Sequence, residues 1–241
     1  MNRSDGRKPD ELRPVTLTRG WAKYAEGSCL IDLGHTRVLV TATVEETVPS
    51  WLKGKGRGWV TAEYAMLPRA TTQRTRRETV GGKPNSRGLE IQRLIGRSLR
   101  AVTNLEALGE RTVTLDCDVL QADGGTRCGA ITAAYVALVE ALAGLRAKNL
   151  IHGSPVSTNV AAVSVGMIGT QELLDLCYVE DSKADVDMNV VMTGTGRFIE
   201  LQATGEGNTF TDPQMLRMLA LAKSGIERLV AMQKEAVKEI L

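Results

Sequence analysis

The apolar pattern of the chain switches between a period of two and a helical period, and the switches predict its elements. A short extended segment covers residues 12–17. A hairpin follows over 27–44. It runs Ser28-Cys29-Leu30-Ile31-Asp32-Leu33, turns at Gly34-His35, and returns through a run dense in β-branched residues. Residues 53–58 form a basic, glycine-rich loop, and 59–67 are extended up to Pro68. No apolar period runs through 69–87, which predicts an exposed, mobile loop. Leu89 or Ile91, then Leu94, Ile95 and Leu99, mark one face of a helix continued by Ala101 and Val102. Arg93, Arg97 and Arg100 lie on another face, and Asn104 and Gly109 close the unit.

The next stretch is a strand, a glycine turn and a helix. Val113, Leu115, Cys117 and Val119 share one strand face, and Thr114, Asp116 and Asp118 the other. Gly124-Gly125 turns the chain, and residues 130–142 are apolar nearly all round, which predicts a helix buried on most sides. Residues 148–155 read as a linker. An extended segment at 156–168 precedes two strands, 172–180 and 184–192, around the turn Asp181-Ser182-Lys183. Thr193-Gly194-Thr195-Gly196 turns into 197–203. Thr211 or Asp212 caps a last helix with Pro213 at its first position and the stripe Met215, Leu219, Ala222, Ile226, Leu229 and Val230. The order predicts an α+β fold of two β-plus-α units sharing one core, a single domain over 1–241 without tandem repeats.

With 43% hydrophobic and 24% charged residues over 241, the composition is that of a soluble globular protein. No apolar run reads as a bilayer span, and the polar first 14 residues do not resemble a secretory signal. Cys29, Cys117, Cys128 and Cys177 form no Cys-x-x-Cys pair. They predict reduced thiols, half-buried at Cys29 and Cys117, with no zinc site and no disulfide framework, in a cytoplasmic protein with no membrane partner. The net charge of +2 conceals an asymmetry. Residues 57–100 hold ten Lys/Arg against three acids, so that segment is +7 and the remainder −5. An excess of this size suits a polyanion, although a charge count alone also fits a solvated basic face.

Three groups of residues have the chemistry for a site. Gly125, Thr126 and Arg127 combine a flexible backbone, a hydroxyl and a guanidinium with the bare N–H groups of a helix start, which suits phosphate. On spacing alone the same residues form an ordinary strand-to-helix turn. Arg87, at the mouth of the arginine-bearing helix, has a fork that can hold phosphate together with Arg127. The acidic set Glu180, Asp181, Asp185 and Asp187 is either a solvated turn or a group able to hold Mg²⁺ or relay a proton. Alternation puts Asp185, Asp187 and Asn189 on one strand face. His35 and His152 have no Ser or Cys partner nearby in sequence, and the glycine turns at 194–196 and 205–207 carry no phosphate role.

Several ordered blocks make the chain recognisable. They are Gly27-Ser-Cys-Leu-Ile, Gly34-His-Thr-Arg-Val-Leu-Val-Thr-Ala-Thr-Val-Glu-Glu, Gly56-Arg-Gly-Trp-Val-Thr-Ala-Glu-Tyr-Ala-Met-Leu-Pro-Arg-Ala-Thr, Glu90-Ile-Gln-Arg-Leu-Ile-Gly-Arg-Ser-Leu-Arg, Leu115-Asp-Cys-Asp-Val-Leu-Gln-Ala-Asp-Gly-Gly-Thr-Arg and Val186-Asp-Met-Asn-Val-Val-Met-Thr-Gly. Over nearly its full length the chain resembles the bacterial ribonuclease PH family. The resemblance implies the ribosomal protein S5 domain 2-like fold (the ribonuclease PH fold). It also implies a phosphate-dependent 3′→5′ exoribonuclease, a nucleotidyltransferase that trims the 3′ ends of transfer RNA precursors and releases nucleoside diphosphates. Other RNA 3′ ends, ribosomal RNA included, are further substrates on this reading, and self-assembly is into a homohexameric ring, a trimer of dimers.

By the same resemblance, inorganic phosphate as co-substrate falls on Arg87, Gly125, Thr126 and Arg127. The catalytic acids, or ligands of Mg²⁺, fall on Asp181 and Asp187, and the transfer-RNA-binding loop on Arg69, Arg74, Arg76 and Arg77. Ser86, Gly88-Leu89 and Cys128-Gly129 depart from the family's usual residues. A catalytically inactive RNA-binding ring subunit is the competing reading, and the joint presence of Arg87, Arg127, Asp181 and Asp187 argues against it. Polynucleotide phosphorylase is the other, and this sequence is short for it.

Overall fold

The computed structural model describes residues 3–77 and 85–241, and the structural statements below concern those residues. Nine strands and five helices are arranged as two sheets with helices against them. The first sheet has the order β1 (Val15–Arg19), β2 (Gly27–Leu33), β3 (Thr36–Glu45), β5 (Thr112–Gln121), β4 (Trp59–Met66). Its strands are antiparallel except for β4 and β5, which run parallel. The helices between β4 and β5, α1 (Ser86–Arg100) and the one-turn α2 (Leu105–Leu108), make that crossover possible. The second sheet is antiparallel throughout, in the order β7 (Gln171–Leu174), β6 (Val160–Ile168), β8 (Val186–Thr193), β9 (Phe198–Gly205).

Helix α3 (Thr126–Ala147) lies between the sheets and packs on β2 and β3 on one side and β6 on the other. Nearly every residue from Cys128 to Leu142 is buried, as the continuous apolar run requires. Ile131 and Leu138 are fully enclosed, and each such side chain contributes about 1.5–3 kcal/mol relative to exposure. By length and composition alone α3 would also cross a bilayer, contrary to the expectation that no run would, but most of it is buried inside the protein. The interior divides into a larger cluster built on the first sheet, α1 and α3, which reaches Val160, Ala162 and Val191 of the second sheet, another between the second sheet and α5 (Asp212–Val237), and a small third one of Leu173, Leu176 and Ala184. The α+β class and the two β-plus-α units follow the expectation, and α3 is the element common to both.

Several expectations change in detail. The first strand begins at Val15, and β6 begins at Val160. Cys29 and Cys117 are fully buried rather than half-buried, because they face α3, and all four cysteines are free. Leu89 is exposed, so Ile91 begins the buried stripe of α1. Residues 172–180 and 184–192 are not a hairpin. β7 ends at Leu174, a one-turn helix α4 (Tyr178–Asp181) follows, and β6 lies between β7 and β8. The mobile loop expected over 69–87 reaches Gly81-Gly82, Lys83 and Pro84, which lie outside the described residues.

Candidate active site

β5 runs into Gly124 and Gly125, whose φ angles are +76° and +69°. A Cβ at Gly124 would also lie 2.7–2.9 Å from backbone atoms of Leu176, Cys177 and Tyr178. Both the turn and the close approach of the chain entering α4 therefore require glycine there. α3 starts immediately after the turn, so its unpaired N–H groups and the Thr126 and Arg127 side chains share one end of the helix.

Arg127 is held in place. Its Nη1 donates to Gln202 Oε1 on β9 at 2.6 Å, and Gln202 Nε2 donates to Glu90 Oε1 on α1 at 3.1 Å. Glu90 itself lies 3.9 Å from the guanidinium. The buried Tyr64 hydroxyl donates to Thr126 Oγ1 at 2.8 Å, which fixes the threonine from β4. Arg87 stands exposed in the first turn of α1, where Asn85 Oδ1 accepts its backbone N–H at 3.0 Å.

The acids come from the other sheet. Asp181 ends α4 and Asp187 lies on β8. Asp187 Oδ2 accepts from Asn189 Nδ2 at 3.2 Å, while its Oδ1 is buried with no hydrogen-bond partner among the described residues. Burial first, and then the neighbouring Asp181 carboxylate, push the Asp187 carboxyl up to about 6, against the opposing pull of Arg127 and Asn189. Desolvation also raises Asp181, opposed by Arg87 and Arg127. Asp181 thus feels both Arg87 and Arg127, and Asp187 feels Asp181 and Arg127, although the four come from different elements. A buried carboxylate oxygen without a donor, beside a second carboxylate, fits a hard cation such as Mg²⁺ or a retained proton. No three His, Cys, Asp or Glu side chains are placed to hold a metal ion together among the described residues, so a cation here would rest on two carboxylates and water.

Two of the four sequence-predicted acids do not join the site. Glu180 turns inward and forms a bidentate pair with buried Arg3, with bonds of 2.8 and 2.7 Å. Asp185 turns outward to accept from Asn208 Nδ2 and from the Gly169 N–H, each at 2.6 Å. A one-turn helix in place of a hairpin turn is the physical reason: it sends Glu180 and Asp181 to different sides. Cys128 has a definite partner, since its Sγ–H donates to Asn189 Oδ1 at 3.4 Å and so reaches Asp187 through Asn189.

The basic loop is described as far as Arg77. Arg69, Arg74, Arg76 and Arg77 are all exposed, and none is ion-paired among the described residues. Its base is fixed near the glycine turn: Ala122 N–H donates to Ala70 O at 2.8 Å, and Thr75 N–H to Pro68 O at 2.9 Å. Other members of the +7 segment are used internally. Arg97 pairs with Glu200 at 3.2 Å, and Arg100 stacks 4.2 Å from the Trp59 ring centroid. Sequence reasoning missed Tyr64, Glu90 and Gln202, whose pairing exists only between distant segments. Asn189 carried a signal, its place on the Asp187 face.

The sequence profile of the 3′ exoribonuclease family, domain 1, matches residues 11–143, and that of domain 2 matches 158–225. The chain belongs to the 3′ exoribonuclease family. It is 59% identical to the ribonuclease PH of Methylobacterium radiotolerans, over 98% of this chain and 99% of that protein. The ribonuclease PH of Methylocella silvestris is equally similar over the same shares. The fold is similar to an Archaeoglobus fulgidus exosome with RNA bound to the active site (TM-score 0.80, 23% identity, 95% and 91% coverage). It is also similar to rice Rrp46 (TM-score 0.77, 19% identity, 96% and 98% coverage). The ribonuclease PH resemblance and its fold are thereby supported, as is the phosphate-dependent 3′→5′ exoribonuclease activity that the resemblance implies.

Proposed function

We propose that the chain phosphorolyses the 3′ ends of transfer RNA precursors, and of other RNAs including ribosomal RNA, at the site formed by Arg87, Gly125, Thr126, Arg127, Asp181 and Asp187. The observation that carries this reading is the buried, unpartnered Oδ1 of Asp187 beside Asp181, within the field of Arg127. In the reaction an oxygen of inorganic phosphate attacks the terminal phosphodiester phosphorus. The P–O3′ bond breaks, and a nucleoside diphosphate leaves an RNA one residue shorter with a free 3′ hydroxyl. Two anions must meet, so fixed cations and dipoles are the main requirement.

Arg127, the N–H groups at Gly125-Thr126, and Arg87 hold the attacking phosphate. The bond that Arg127 donates to Gln202 and the one that Thr126 accepts from Tyr64 keep that cradle in place before substrate arrives. Asp187, whose raised carboxyl retains a proton near pH 6, can deliver it to the departing O3′. Alternatively, Asp181 and Asp187 would hold Mg²⁺, which supplies charge neutralisation at the scissile phosphate. Arg69, Arg74, Arg76 and Arg77 bind the RNA body, and their exposure supports this role. The joint presence of the four charged residues favours an active enzyme over a non-catalytic ring subunit.

The chain acts as one unit over 1–241, in the cytoplasm, within a homohexameric ring built as a trimer of dimers. Its likeness to exosome subunits supports assembly, and a solution mass six times that of the 26.0 kDa chain is the expected measurement. The phosphate assignment is tested by thermal unfolding with and without inorganic phosphate. Phosphate is expected to raise the Tm of the wild type and of Arg74→Ala but not of Arg127→Ala. An undiminished rise in Arg127→Ala would refute the assignment.

A further inference from the structure

The N-terminal segment carries three buried or nearly buried arginine side chains, and they converge on the back of the proposed site rather than on solvent. Arg13 forms a bidentate pair with Asp175, Nη2 to Oδ1 at 2.7 Å and Nε to Oδ2 at 3.0 Å, and its own N–H also donates to Oδ2 at 2.8 Å. The other face of the same guanidinium donates to the carbonyl of Asp123 at 2.6 Å and reaches that of Gly124 at 3.4 Å. Thr36 completes this hold on the turn: its hydroxyl donates to Gly124 O at 2.7 Å and accepts the Asp123 N–H at 2.9 Å.

Arg3 performs the corresponding task on the acidic side. It grips both oxygens of Glu180 and donates to the carbonyls of Leu174 and Asp175 at 2.8 and 3.0 Å. Glu180 in turn accepts the Cys177 N–H at 3.2 Å at the start of α4, the helix that ends in Asp181. Arg7 lies between the two pairs, 3.5 Å from Asp175 and 3.6 Å from Glu180. Asp175 is the centre. It is fully buried, and its backbone takes a left-handed φ of +56°, a conformation that Asp tolerates better than most residues. Tyr178 N–H closes the circuit on Asp123 Oδ1 at 3.2 Å.

Buried charges are costly unless fully paired, and replacing such pairs by apolar residues often stabilises a protein. Maximal stability is therefore a poor account of three arginines here, whereas fixed geometry between two loops is a good one. From the contacts of Arg3, Arg13, Thr36, Asp175 and Glu180 we infer that this network is a positioning device. It fixes the glycine turn under the phosphate cradle at its Arg13–Thr36 end and the helix that carries Asp181 at its Arg3–Glu180 end. The inference rests on the functional reading above.

The network has two separable ends, and this makes it testable in steady-state phosphorolysis of a 3′-extended transfer RNA by the full-length protein. Arg13→Lys and Thr36→Val loosen the turn. Each is expected to raise the KM for inorganic phosphate at least fivefold while kcat falls less than twofold. Glu180→Gln loosens α4 and is expected to lower kcat at least tenfold with the phosphate KM within twofold of wild type. Thr36→Val removes no charge, so it tests the turn even where Arg13→Lys does not fold. Variants that lose Tm but keep both constants within twofold, or that lose both constants together, overturn the inference. Arg127→Ala separates the two levels. If it retains wild-type phosphate saturation, the functional reading itself fails. If it loses phosphate saturation while the Arg13 and Thr36 variants keep theirs, only the positioning role fails.

Discussion

The two β-plus-α halves have a similar arrangement and contribute opposite chemistry. The first half places cations at helix starts, Arg87 opening α1 and Arg127 opening α3. The second places carboxylates on a one-turn helix and a strand, Asp181 and Asp187. Their hydrogen-bond states also differ. Arg127 already has Gln202 for a partner with Glu90 beside it, while Asp187 has one oxygen with none. The cationic side is held ready at little cost. The acidic side keeps a deficit of about 1–3 kcal/mol, the usual range for an unsatisfied buried polar group. A fold tolerates such a deficit when a proton, a cation or a substrate is to fill it.

Removing the cationic side should have the largest effect. Arg127→Ala is expected to lower phosphorolysis about 10³-fold, the upper range for loss of one preorganised charge stabiliser; wild-type turnover in that variant would show that the first half does not supply the cation. Asp187→Asn is expected to lower kcat about 10²-fold with RNA affinity largely intact. A parallel loss of binding would mean that this side binds RNA instead of reacting.

The same variant sharpens the energetic contrast. Because the Asp187 carboxyl is raised from its ordinary 3.8 to about 6 in the fold, native Asp187 holds its proton more tightly than the unfolded chain does. Stability therefore falls as pH rises from about 4 to 6 and stays lower above. Without Mg²⁺, Asp187→Asn should raise Tm by about 2–4 °C at pH 7.5, and no gain at pH 4 is expected. Calorimetry at the two pH values checks the sign.

Smaller effects belong to the periphery. Replacing Arg74, Arg76 and Arg77 by Ala should weaken a structured transfer RNA more than a short oligonucleotide. It should also reduce the slope of log affinity against log salt by roughly 2–3, by counterion release. Equal loss on both substrates would count against the loop as a clamp. Tyr64→Phe removes only the bond to Thr126 Oγ1. A loss of about 1 kcal/mol, roughly fivefold in phosphate affinity, is expected by titration.

Much of the fold was legible because period carries it. The hairpin of β2 and β3, the alternation of β5 and the all-round apolar α3 each follow from local pattern. The glycine turn and the helix start were legible for the same reason, since Gly124-Gly125-Thr126-Arg127 is contiguous, but spacing alone left an ordinary turn as the alternative and did not join Arg87 to it. The acidic half was legible only in part. Asp187 could be placed by strand alternation, but Glu180 and Asp185 could not be separated from it. Their directions depend on α4 and on distant Arg3 and Asn208. Gln202, Glu90 and Tyr64 left no local trace, because each acts across more than 60 residues of chain. The buried arginines of the N-terminal segment read as a polar, charged terminus for the same reason.

Phosphate, not water, is expected to attack the RNA end in this site. The most direct test incubates the protein with a 3′-extended transfer RNA, with and without inorganic phosphate, and identifies the released nucleotide. Nucleoside diphosphates that appear only when phosphate is present are the predicted result. Monophosphates released without phosphate would contradict it.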